Sequence, residues 1–161
     1  MVSRGVRRGL DSRGFTITEV MVVCSIVAVI AAVSMPFFAT YLQSATTKSA
    51  ASQLVTILNG ARQLAIARNT NVCVALSGTQ AYYKTGTSST CGGGTTFVGT
   101  NTRSDGTMVL DNAMTISAST ASVVFSSLGA AVNAGTYTVR NPTTTETLNV
   151  VVAASGRVTI Q

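Results

Sequence analysis

Histidine is absent from the 161-residue sequence, and with it the side chain that most often serves as a general base or a metal ligand. Beyond residue 14 the acidic side chains are Glu19, Asp105, Asp111 and Glu146. Asp105 and Asp111 lack the ligand density of a calcium loop. Serine and threonine are abundant, but with no histidine and no lysine placed to activate a nucleophile they make no triad. Cys24, Cys73 and Cys91 do not form a zinc pattern. Cys91-Gly92-Gly93-Gly94-Thr95-Thr96 lacks a Gly-Lys-Ser/Thr ending and a strand–helix frame, so it reads as a flexible loop and not as a phosphate cradle. Neither catalysis nor a cofactor nor a metal is expected. The residue whose setting asks for a role is Glu19, because it borders a long apolar run.

That run, Val20 to Phe38, has 19 residues and no charge; Ser25 and Ser34 are its polar members and Pro36 its helix breaker. A helix of that length spans about 28 Å, close to the hydrocarbon core of a bilayer. Apolar residues fall on every face, unlike a surface helix. A carboxylate costs about 2.5–3.5 kcal/mol at the centre of a span and less near its end, so a Glu there needs a reason. Pro36 lacks an N–H and opposes the Ala32 carbonyl, which predicts a kink or a local melting of the helix.

The charge is distributed unevenly. The formal net charge is +6, with charged residues at 10%, against about 25% in an average soluble domain. Residues 1–14 hold Arg4, Arg7, Arg8 and Arg13 against Asp11, half of the excess. The rest is spread thinly over residues 15–161, so the basic balance does not by itself argue for nucleic-acid binding. After the arginines no basic residue follows until Lys48. The positive-inside rule leaves residues 1–14 in the cytoplasm and carries the C-terminal part across.

An ordinary secretory signal would have a shorter apolar run ending in small residues, whereas this one ends in Pro36-Phe37-Phe38. A twin-arginine signal would explain Arg7-Arg8, but Asp11 follows closely and the polar lead-in is missing. The segment Ser12-Arg13-Gly14-Phe15-Thr16-Ile17-Thr18-Glu19-Val20 resembles the processing site of type IV prepilins and type II secretion pseudopilins. The resemblance implies that a prepilin peptidase cuts between Gly14 and Phe15 and that Phe15 is then N-methylated. It also implies that Glu19 pairs with the N-terminal amine of a neighbouring subunit, and that a break at Pro36 fits the helix into a crowded filament core. Without the family, Gly14 is a flexible residue before a helix and Glu19 an acid that stays wet among headgroups. A new α-amine at Phe15 would still place a cation beside a helix N-terminus, where an acid is favoured.

From Thr40 to about Arg68 the chain reads as a continued helix. Leu54, Leu58, Ala61 and Ala65 share one face, widened by Val55, Ile57 and Leu64, and that stripe is expected to pack on a β-head. Asn59 and Gly60 weaken the helix locally. Arg62 and Arg68 read as solvated or helix-end charges, with Arg68 suited to the C-terminal dipole. Ala61-Arg62, Ala65-Ile66, Arg68-Asn69 and Val72-Cys73-Val74 resemble the helix end and first strand of the GspH/FimT group of minor pseudopilins and minor pilins.

Beyond Asn69 short β-like runs alternate with turns. They are residues 72–76, 81–84, 107–110, 114–117, 122–125, 136–140, 147–153 and 157–160, with turns at 77–78, 105–106, 111–112, 134–135, 141–142 and 155–156. Short spacing predicts antiparallel pairing. Cys73 and Cys91 lie in the part expected outside the membrane and bracket a hairpin; a disulfide there would contribute about 2–4 kcal/mol, with two free thiols the alternative. Ser155-Gly156-Arg157-Val158-Thr159 resembles the Gly-Arg-x-Arg tail with which some FimT-type minor pilins contact DNA. Thr159 replaces the second arginine, and one cation releases few counterions. The other reading is a hairpin turn at Gly156 and an edge-strand charge at Arg157.

The expected fold is α+β: a long N-terminal helix, membrane-spanning in its first half, packed on a C-terminal antiparallel β-sheet head. Residues 1–14 form the leader, 15–39 the transmembrane and filament-core helix, 40–69 an amphipathic continuation and 70–161 the head. The expected function is that of a structural minor pilin or pseudopilin in the inner membrane, with its head in the periplasm, and then in a pilus or pseudopilus. Its partners are other pilins or pseudopilins, the prepilin peptidase and the membrane, and the alternative is a pilus-borne DNA-binding subunit.

Overall fold

The computed structural model describes residues 14–86, 88–99, 102–110, 114–118 and 122–161. The leader apart from Gly14, the 111–112 turn and Asp111 lie outside the described residues. The chain divides into two compact units, residues up to Thr40 and residues Tyr41–Gln161. A single helix, α1 (Ile17–Arg68), contributes to both.

In the first unit α1 starts from a side-chain cap. Thr16 precedes the helix, and its Oγ1 accepts the Glu19 N–H at 3.3 Å, satisfying one of the donors that a helix start leaves open. Every residue from Ile17 to Thr40 is exposed. By length and composition this helix can cross a membrane, with a mean hydropathy of 2.5 in its most apolar window. Its polar members turn inward on their own backbone. Ser25 donates to the Met21 carbonyl at 2.7 Å and Ser34 to that of Ile30 at 2.8 Å, which suits an apolar solvent. The helix runs through Pro36 without the melted turn expected as one outcome. A proline removes one intrahelical bond, and the regular turns on both sides retain theirs.

In the second unit, the part of α1 from Tyr41 onward buries Thr47, Ala50, Ala51, Leu54, Leu58, Ala61 and Ala65. The four expected stripe residues are all on this face, and Val55, Ile57 and Leu64 pack at its margins. The helix ends in a left-handed cap. Asn69 has φ +48°, its N–H donates to the Ile66 carbonyl, and the Thr70 N–H donates to that of Ala65, both at 3.2 Å. This is the Schellman pattern, and asparagine tolerates the left-handed conformation better than most residues.

Two antiparallel sheets follow. The first contains β1 (Val72–Ser77), β2 (Gln80–Thr85), β3 (Thr95–Thr96), β4 (Thr107–Val109) and β6 (Ser122–Phe125), in the order β3-β2-β1-β6 with β4 also on β2. The second contains β5 (Thr115–Ala118), β7 (Gly135–Arg140), β8 (Thr147–Val152) and β9 (Val158–Ile160), in the order β5-β7-β8-β9. β1 and β2 join through the two-residue loop Gly78-Thr79, where Gly78 has the positive φ that a tight hairpin needs. Tyr137 and Val139 on β7, and Val150 and Val152 on β8, are buried at alternate positions, the period of a sheet with one covered face. They share a core with Leu54 and Leu58 of the helix and with Val72, Val74, Val123 and Phe125 of the first sheet.

The Gly-rich segment departs from its expected flexibility. Thr95 and Thr96 form β3 against Thr85 and Lys84, and the Phe97 N–H donates to the Tyr83 carbonyl at 2.9 Å. Two exposed threonines carry no apolar alternation, so only the pairing partner reveals them as a strand.

Candidate assembly site

Gly14 and Phe15 precede the helix in non-helical, exposed backbone, and Phe15 is 80% exposed. Thr16 is the cap, so Phe15 stands immediately before it and Glu19 three residues after it. Thr16 and Glu19 occupy the positions of a capping box, and Phe15 and Val20 those of a hydrophobic staple. A chain starting at Phe15 would carry its α-ammonium one residue before the cap. The Glu19 carboxylate lies in the first turn, at the positive end of the helix dipole. A cation and an anion would then stand at the same end of a rod that is otherwise uncharged through Phe38. Cys24 is an exposed free thiol on that rod.

In the head, Cys73 and Cys91 are joined as a disulfide with Cα atoms 5.4 Å apart. The loop before Cys91 has further tethers: Asn133 Nδ2 donates to the Ser89 carbonyl at 2.8 Å and Asn71 Nδ2 to that of Ser88 at 3.5 Å. A polar cluster joins the 141–146 loop to the helix. Thr47 Oγ1 donates to Glu146 Oε2 at 3.3 Å, and Asn141 Nδ2 reaches Thr47 Oγ1 at 3.4 Å.

Arg62 is not the solvated charge expected from its place in the sequence. Its Nε donates to the Gly129 carbonyl at 2.9 Å. Gly129 and Gly156 have φ of +80° and +79°, and a Cβ on Gly156 would overlap the Gly129 carbonyl. The helix, the 126–129 turn and the β8–β9 hairpin thus meet at one contact that requires glycine at both turns. Gly156 does make the expected hairpin turn, its N–H donating to Ala153 O at 2.8 Å. Arg68 stacks over the Phe97 ring, 4.7 Å from its centroid.

Gly60, read as a weak point in the helix, has a packing role instead. A Cβ there would lie 2.8 Å from the Tyr83 hydroxyl, which donates to the Ile57 carbonyl at 2.7 Å. Burial pushes the Tyr83 phenol up to about 12.

Arg140 and Arg157 do not share one site. Arg140 pairs with Thr147 at one end of β8, whereas Arg157 follows the other end, beyond Val152. Six residues of strand separate those ends by roughly 17 Å. No cluster of three or more potential metal ligands occurs among the described residues.

The pattern of the family described as "Type II transport protein GspH" matches residues 50–156, and the prokaryotic N-terminal methylation motif matches residues 10–35. The chain belongs to the GspH family. No curated protein matches it. Crystal structures of the type IV minor pilin FimU of Pseudomonas aeruginosa PAO1 are similar in fold at 18% identity. In one crystal form the match covers 71% of this chain and 91% of FimU with a TM-score of 0.52. In a second it covers 75% and 92% with a TM-score of 0.55. The GspH match and the methylation motif identify a pilin-like subunit of the minor pilin or pseudopilin type, in which a long apolar helix packs on antiparallel sheets. The family is structural, and its members assemble with other pilins. Neither the matches nor the scattered arginines support the DNA-binding alternative.

Proposed function

We propose that this GspH-type subunit enters the inner membrane with residues 1–14 in the cytoplasm and its head, residues 70–161, in the periplasm. The prepilin peptidase cleaves between Gly14 and Phe15, and Phe15 is N-methylated. The helix of residues 15–39 then leaves the bilayer for the core of a type IV pilus or type II secretion pseudopilus. There Glu19 neutralises the Phe15 amine of a neighbouring subunit, and Pro36 lets the helix adapt. Residues 40–69 carry the head.

The observation that supports this reading is Glu19 in the first turn of an exposed helix whose next 19 residues carry no charge, at the fifth residue after the Gly14–Phe15 junction. A lone carboxylate at such a place is costly in lipid unless a cation meets it, and processing supplies that cation. Mass spectrometry of the mature chain tests it: N-methyl-Phe15 is expected, and an intact Met1 or a start near residue 32 would overturn the reading.

A further inference from the structure

Leu128 is 89% exposed at the tip of a turn, although it is among the most apolar side chains in the head. The turn is tightly built. The Gly129 N–H donates to Ser126 O and the Ser126 N–H to Ala130 O, both at 2.8 Å. Arg62 holds the Gly129 carbonyl, and Gly156 closes on the same carbonyl. Ile66, 51% exposed, lies against Gly129 from the helix side. Arg157, also exposed, follows Gly156 directly. A leucine held out on rigid backbone loses little conformational freedom when it is buried by a partner, and such preorganised apolar anchors dominate binding energies.

We propose that the 126–129 turn is a docking knob for a different pilin-like subunit. Leu128 and Ile66 enter an apolar pocket on that subunit, and Arg157 meets carboxylates on the pocket's rim. Charge complementarity selects the partner. Residues 41–161 carry seven basic and three acidic side chains, so a second copy of this chain would bring excess positive charge to a positive surface. Of those acids, Asp105 is engaged by Thr107 and Glu146 by Thr47. Nucleic acid is disfavoured because the anchors are aliphatic and the cations few. The proposal rests on the assembly reading above and names a surface and a partner for it.

The test uses the full chain in cells that build the filament. A photo-crosslinking residue at position 128 is expected to give an adduct with another class III leader-bearing subunit, at a site flanked by Asp or Glu; the same residue at Thr143 gives none. Leu128→Asp should lower incorporation about tenfold with leader processing and the melting temperature of the head unchanged. Arg157→Glu should lower it, and Arg157→Lys should restore it. Adducts to lipid or to a second copy alone, or Leu128→Asp incorporating like the parent, would overturn the knob. Glu19→Gln serves as the reference arm. If it too incorporates normally, the assembly reading fails; if it alone fails to incorporate, that reading stands and the knob falls.

Discussion

Tyr83 and Gly60 form a pair in which each residue explains the other. The helix gives up a side chain at Gly60 so that a phenol can reach a backbone carbonyl already committed to the helix. Tyr83→Phe should cost about 1 kcal/mol by loss of that bond, read as a lowered melting temperature. Gly60→Ala gains helix propensity of about 1 kcal/mol but places a methyl at 2.8 Å from the hydroxyl, so it should not stabilise. The raised phenol pKa also sets a pH dependence. Its stabilising contribution is complete below the ordinary value of 10.0 and is lost as pH rises towards about 12. Alkaline melting curves should steepen in that window, and Tyr83→Phe should flatten them. Asp105 acts at the other end of the scale. Its hydrogen bonds from the Thr107 hydroxyl and N–H hold its carboxyl below the usual 3.8. That contribution is present above the ordinary value and is lost as pH falls through the lowered one, and Asp105→Asn should weaken this acid dependence.

The helix end shows how an element is terminated by residue type. Asn69 takes a left-handed conformation that an alanine enters at a cost of roughly 1–2 kcal/mol. Asn69→Ala should destabilise the head accordingly, and Asn69→Gly should leave it near neutral or slightly stabilised, both measurable by denaturant titration. The three-residue contact of Arg62, Gly129 and Gly156 is stricter. Gly156→Ala demands both a left-handed alanine and displacement of the Gly129 carbonyl, so it should destabilise by at least about 2 kcal/mol. The same contact accounts for Arg62 and Gly156 as a structural pair, without invoking a ligand. At the helix start, Thr16 caps and Glu19 completes the first turn, so Thr16→Ala should lower membrane-helix order and slow incorporation while leaving the head's melting unchanged.

At the scale of the molecule, the head is a small domain in which the Cys73–Cys91 bond closes the loop of residues 74–90. Reducing it should cost about 2–4 kcal/mol in head stability, seen by comparing unfolding with and without reductant. Leu54→Ala, at the centre of the helix–sheet core, should cost about 2–5 kcal/mol. The first unit, residues up to Thr40, is governed by different physics, because every side chain of its helix is exposed and most are apolar.

Local chemistry was legible in the sequence wherever one segment carries its whole signal. The apolar run and Glu19 at its border could be read because composition and order along a single helix suffice to define them. The buried stripe from Leu54 to Ala65 and eight strand segments were readable from periodicity and turn residues, as were the glycine turns at Gly78 and Gly156. The division into two sheets, the pairing of Thr95–Thr96 with β2 and the hydrogen bond of Arg62 to Gly129 were not. Each depends on a partner outside its own segment: Arg62 reaches a carbonyl 67 positions later, and nothing beside it in the chain announces that acceptor. Periodicity reports which face of an element is apolar. Which partner covers that face, and which polar groups meet at the seam, is decided only when the whole chain closes its buried hydrogen bonds and fills its core at once.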